Sequence, residues 1–244
     1  MGTAVRRRLE APYAHVMKGA AKWDATLRNV PRSAWPQLLG EHSGLPGPRA
    51  NLSLLEALLA QADEADARIL LADGGEYQAM CAAAILGSRA DRSGPEGVAR
   101  ELSTDARWRV REGVAIGLQH LGDRNAAALT DVARRWAADA SPLVQRAAVA
   151  GICEPRLLHD TAVAAVAIEV CQMTTAFLAA LPPERNRQHD ARTLRQALGY
   201  CWSVAVAARP GTGLPAFREL DERHPDVAWI IRENRRKARL SSVL

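Results

Sequence analysis

One eight-residue phrase occurs twice in this chain, as DARWRVRE at residues 105–112 and DVAWIIRE at 226–233, both of the form Asp-x-x-Trp-x-(Val/Ile)-Arg-Glu and 121 residues apart. Setting DGGEYQAMCAAAIL, DARWRVREGVAIGL, DASPLVQRAAVAGI and DVAWIIRENRRKAR beneath one another aligns Asp73, Asp105, Asp139 and Asp226, at steps of 32, 34 and 87 residues. DARTLRQALGYCW, from Asp190, supplies a weaker copy inside the long step. A recurring unit of this length is a helix pair that cannot bury its apolar stripe alone, so the copies must stack on one another.

Strand signals are nearly absent. Aromatic residues make up 5% of the chain, β-branched alternation is missing, and Ala-rich stretches such as QAMCAAAILG, RAAVAGIC and TAVAAVAIEVCQM favour helix. The expected fold is all-α, an α-solenoid of about four to five helix pairs, with residues 1–49 as a basic N-terminal helical cap and 50–244 as the repeat array. Trp23 and Trp35 are expected to tuck that cap against the first helices. Pro- and Gly-rich punctuation is read at 44–51, 87–97, 121–125, 153–157, 181–190 and 208–215. The segment ANLSLLEALLAQAD reads as a helix opened by a capping box of Ser53 and Glu56, with Leu54, Leu55, Leu58 and Leu59 on one face.

Among 244 residues, hydrophobic types make up 48%, enough for a proper core, and no run of about 18 apolar residues is read as a membrane span. The opening residues lack the apolar stretch of a secretory signal, so the expected location is the cytoplasm. Cys81, Cys153, Cys171 and Cys201 lie far apart without metal-ligand spacing and read as reduced, buried small hydrophobes. The six histidines show no H-x-x-x-H spacing, so no metal site is expected. Neither a P-loop nor a dinucleotide fingerprint occurs, and no cofactor is expected.

The net charge is +5, and with Lys only at 18, 22 and 237 the basic residues are almost all arginine. Arginine forks onto phosphates, which suits a nucleic-acid partner, although a coding bias toward Arg and Ala produces the same excess. In the helix after Asp105, a helical wheel puts Val110, Val114, Gly117, Leu118 and Leu121 on the core side and Trp108, Glu112, Ala115 and Gln119 opposite. Arg146 occupies the position of Glu112 one repeat later. An exposed carboxylate and guanidinium on neighbouring helices read either as an inter-repeat salt bridge or as part of a site. The tail RENRRKARL adds Arg232, Arg235, Arg236, Lys237 and Arg239 within two helical turns, fit to track a phosphate backbone or to keep a terminal repeat polar.

Asp105 with Arg111, and Asp226 with Arg232, resemble the Asp and Arg ladder positions of HEAT repeats, with Gln145 standing where Asp139 would have its Arg. The resemblance covers about residues 50–240 and implies a binding scaffold whose Arg-rich face engages a protein or a nucleic acid. More narrowly, Trp108 with Glu112, the QRAA at 145–148 and Tyr200 in RQALGY are similar to the AlkD-like alkylpurine DNA glycosylases, which are HEAT-like. That resemblance implies catalytic roles for Trp108, Glu112, Arg146 and Tyr200, with double-stranded DNA as substrate. Aromatic faces and a carboxylate would stabilise the cationic sugar as an alkylated base departs. Phosphate contacts are expected at Arg109, Arg146, Arg195, Arg232, Arg235, Arg236 and Lys237. Trp229 and Glu233 repeat the Trp/Glu pair in the last copy, and its plainer reading is the consensus of the repeat.

Overall fold

The computed structural model describes the backbone of residues 3–243 and the side chains of 16–243. It is all-helical, with no strand among the described residues. Two compact units divide the chain, Met1–Gly117 and Leu118–Leu244.

Unit 1 holds α1 (Thr3–Arg28), α2 (Trp35–Glu41), α3 (Leu52–Leu59), α4 (Glu64–Asp73), α5 (Glu76–Gly87), α6 (Ser93–Leu102) and the first ten residues of α7 (Trp108–Arg124). Helix α1 packs on α3, and α5 is the central helix, in contact with α2, α3, α4 and α6. Almost every residue of α5 is buried, which its Ala-rich sequence permits. The α5–α7 crossing is a backbone-to-backbone approach: a Cβ on Gly113 would stand 2.3 Å from the Met80 carbonyl oxygen, and one on Gly117 would stand 2.8 Å from the Gly87 Cα. Trp35 is buried, with its indole N–H donated to the Leu27 carbonyl at 3.3 Å, while Trp23 is half-buried and tilted against His42.

Unit 2 continues with α8 (Ala126–Ala137), α9 (Pro142–Ile152), α10 (Thr161–Ala180), α11 (Pro183–Asn186), α12 (His189–Ala208), α13 (Pro210–Arg218), α14 (Pro225–Arg235) and α15 (Ala238–Ser241). Its two longest helices are its hubs: α10 packs on α8, α9, α12 and α13, and α12 packs on α9, α10, α13 and α14, while α8 packs on α9. Asn234, fully buried, ties α14 to α12 by donating to the Leu198 carbonyl and accepting from the Ser203 amide, both at 2.8 Å.

The aligned aspartates begin helices in two different registers. Asp73, Asp105 and Asp139 each stand three residues before a helix, and each Oδ1 accepts the backbone N–H two residues on, from Gly75, Arg107 and Ser141. Asp190 and Asp226 are instead the second residues of α12 and α14. Arg111 reaches back to the carbonyls of Asp105 (2.5 Å) and Ala106 (2.9 Å), capping backbone groups outside the helix. Gln145 does the same for Asp139 with its amide N–H at 2.6 Å, at the cost of a buried Oε1 without a partner.

Several sequence expectations are corrected. The α3 N-cap is Asn51, whose side chain accepts from the Leu54 amide at 3.1 Å; the helix begins at Leu52, so Ser53 already lies inside it. A reciprocal capping box does occur, at Asp63 and Asp66 of α4. The punctuation read at 87–97 and 208–215 overlaps α6 and α13, because Pro210 is tolerated at a helix start and Pro215 is accommodated in the short α13. Ala115 is buried with Val110, Val114, Leu118 and Leu121, since an alanine can meet a closely packed neighbour on the flank of a helix. One helix, Thr161–Ala180, does have the length and apolarity of a membrane span; over half of its apolar window is buried in unit 2, where α10 packs on α8, α9 and α12.

Candidate functional site

In unit 1 the turn at Asp105 sets the position of Trp108. The Asp105 carboxylate accepts from the Arg107 amide and guanidinium at 2.8–2.9 Å, and the hydrogen bonds from Arg107 hold its carboxyl below the usual carboxylate range. Arg107 also donates to the Gly74 carbonyl at 3.1 Å. Trp108 therefore opens α7 and is 51% exposed. Arg109 lies over the ring, 4.4 Å from its centroid, and donates to the Gly47 carbonyl at 3.1 Å. Only 6% of Arg109 is exposed, so this arginine is used on the loop and the ring.

Loop 44–51 faces that helix start. Gly44 takes the left-handed conformation at φ 76°. Asn51 closes the loop, with its amide on the Ser43 carbonyl at 2.8 Å, its side chain donating to His42 at 2.9 Å, and its own carbonyl accepting from the Tyr77 hydroxyl at 2.6 Å. Between the loop and α7 lies a cavity of about 670 Å³ whose lining includes Arg49, Asn51, Ser53, Trp108 and Glu112. The structure thus brings Trp108 and Glu112 to one recess, with Arg49 at the same wall. Arg49 was missed in the sequence, where 44–51 reads as Pro- and Gly-rich punctuation; its signal is an arginine in a Gly/Pro loop, which is weak without the neighbour it faces.

In unit 2 a second group surrounds Tyr200. Tyr200 is 42% exposed, Arg239 stands 4.6 Å and Lys237 6.0 Å from its ring centroid, and Arg239 donates to the hydroxyl at 2.9 Å. One terminal nitrogen of Arg239 is buried with no hydrogen-bond partner. Leu240, fully buried, anchors this short α15 against the unit. Arg232, Arg235 and Arg236 are exposed; Arg235 pairs with Glu222 and Arg236 with Glu233, at 2.8 and 2.7 Å. Arg195 pairs with Asp226 at 2.5 Å and lies over Trp229 at 4.8 Å, so it joins α12 to α14. Arg146 is half-buried on α9.

Unit 2 also holds a cluster of three buried thiols. The Cys153 and Cys171 sulfurs are 3.8 Å apart, and a hydrogen bond with Cys153 together with burial pushes the Cys201 thiol up, against the pull of Arg146 and Arg239. Such thiols are poor nucleophiles. Among the described residues no group of three or more His, Cys, Asp or Glu side chains is placed to hold a metal ion.

Fold and sites together define an all-helical protein with exposed aromatic rings stacked against guanidinium groups. Comparison with known protein families, curated proteins and solved structures finds no match to this chain.

Proposed function

We propose that this chain is a HEAT-like α-solenoid that works in the cytoplasm as a binding scaffold, with a nucleic acid as its partner. The observation that carries the reading is the Tyr200 surface of unit 2: an exposed ring walled by Arg239 and Lys237, on the unit that also exposes Arg232, Arg235 and Arg236. Arginines meet the phosphate oxygens of a duplex without demanding a particular sequence, and an aromatic face can stack on a base wherever a strand opens.

Duplex DNA is expected to bind with little sequence preference, and log affinity should fall linearly with log salt at a slope of several units as counterions are released. Reversing charge at Arg232, Arg235 and Arg236 together should weaken all sequences alike and flatten that slope. Absence of binding at about 50 mM salt and micromolar protein removes the nucleic-acid reading and leaves a protein partner.

A second reading, an AlkD-like glycosylase, is favoured by one observation: Trp108 and Glu112 line the same cavity. A carboxylate and a π-face beside a departing base would stabilise the positive charge that develops on the sugar. Incubation with duplex containing 7-methylguanine should then release the free base, and Glu112→Gln should abolish release while leaving DNA binding intact.

A further inference from the structure

The geometry points to a nucleotide seat in unit 1 that selects guanine, with the base on Trp108, the base edge on Glu112 and the phosphate at Arg49. The ring of Trp108 is the platform. Arg109 lies over its indole, and because Arg109 is itself held by the Gly47 carbonyl and nearly buried, ring and guanidinium form a pre-organised stack. About half of Trp108 nevertheless remains exposed, and the residue lines the cavity. A flat ring entering there gains stacking without displacing any part of the fold.

Glu112 follows Trp108 by four residues and therefore lies on the same face of α7. A carboxylate is an acceptor only, with two oxygens and about four lone-pair sites, so it accommodates a ligand's donors alongside a protein partner. Guanine is the neutral base that presents two adjacent donors, N1–H and the 2-amino group, on its Watson–Crick edge. Adenine and cytosine offer one amino group beside an acceptor, and uracil or thymine one imino group between two acceptors. The two oxygens of Glu112 match the guanine pair and meet a lone pair on each of the others.

Arg49 supplies the remaining contact. It lies at the cavity wall, exposed, on the loop that Asn51 pins, and a guanidinium is suited to bidentate contact with phosphate. The cavity, about 670 Å³, falls within the range of about 300–1,000 Å³ that small-ligand sites occupy. The chemistry is shared by a free guanine nucleotide and by an unstacked guanosine residue of a nucleic-acid strand. The seat does not depend on the basic surface of unit 2, and it uses Glu112 for equilibrium recognition of an intact base.

The full chain is titrated calorimetrically with GMP, guanosine, AMP, CMP and UMP. In parallel it is titrated with a thymine oligonucleotide carrying one central guanine and with the all-thymine strand. Guanine should be preferred by about tenfold or more in at least one arm, the discrimination of one good bidentate base contact. Binding of GMP assigns the seat to the free nucleotide, binding of the guanine strand alone assigns it to nucleic acid, and binding of both assigns it to either source. Glu112→Gln should remove the preference, Trp108→Ala should remove binding while Trp108→Phe keeps it, and Arg49→Ala should weaken GMP but leave guanosine unchanged. The exposed positions of Trp108 and Arg49 leave the fold intact in these variants, which circular dichroism checks. No binding in either arm, no base preference, or a preference that survives Glu112→Gln would overturn the proposal. Reversing Arg232, Arg235 and Arg236 should leave guanine binding untouched, so loss of duplex binding there and loss of guanine binding here are separate results.

Discussion

The phrases at 105–112 and 226–233 share Asp, Trp, Arg and Glu, yet the Asp, Trp and Arg each do a different job in their own unit. Asp105 forms the turn before α7, whereas Asp226 sits inside α14 and pairs with Arg195. Trp108 is open, whereas Trp229 is half-buried, its ring 2.7 Å from where a Cβ on Gly199 would stand. Arg111 is buried against two backbone carbonyls, whereas Arg232 is exposed. Glu112 lines a cavity, and Glu233 pairs with Arg236. The cause is where the helix begins. Helix α7 starts three residues after its Asp, leaving the Asp105 and Ala106 carbonyls outside the helix for Arg111 to cap. Helix α14 starts one residue before its Asp, so the corresponding carbonyls enter the i→i+4 ladder and Arg232 has nothing to reach back to. Identical letters give identical roles only when the helix starts in the same register.

What the copies do share is their core position, and breaking it gives the largest effect. Val110 and Ile231 correspond and are both buried, so Val110→Asp and Ile231→Asp should each cost more than about 4 kcal/mol by placing an uncompensated charge in the core. Melting temperatures near that of the parent would break the alignment itself. The next effect separates the copies. Arg111→Ala leaves two carbonyls unsatisfied and should cost about 1–3 kcal/mol, while Arg232→Ala should stay within about 0.5 kcal/mol. Equal shifts in urea midpoint would mean that helix register is not what distinguishes them.

The smallest effect concerns acid. Arg107 holds the Asp105 carboxyl below its ordinary value, so the stability it contributes is full above the unfolded-state pKa of about 3.9 and is lost as pH falls through the lower folded value. Asp105→Asn should make acid unfolding of the chain shallower below about pH 4. An unchanged acid limb, followed by circular dichroism, would show that the turn does not depend on the charge of Asp105.

Much of the helical content was legible because apolar periodicity and Ala-rich composition act locally. Val110, Val114, Leu118 and Leu121 fall where the wheel puts them, all fully buried. Helix starts were harder to read. Ser53 and Asn51 are both good caps, and the choice falls to whichever can accept an N–H once the preceding loop is closed, which the contact from the Tyr77 hydroxyl helps to decide from 26 residues away. Pro215 and Gly213 read as a loop because the sequence does not show that a Cβ at 213 would strike Val206. The same limit applied to the cavity: Trp108 and Glu112 stood out through their spacing, whereas Arg49 acquires meaning from the wall it shares with them.

The four cysteines are all buried, and each thiol pKa is raised, by burial at Cys81 and Cys171 and by a hydrogen bond between thiols together with burial at Cys153 and Cys201. Native thiols should therefore label slowly until denaturant is added. A cysteine introduced at any exposed position becomes the single fast-reacting handle on the molecule, so a dye or spin probe can be attached at a chosen site without first removing a native residue.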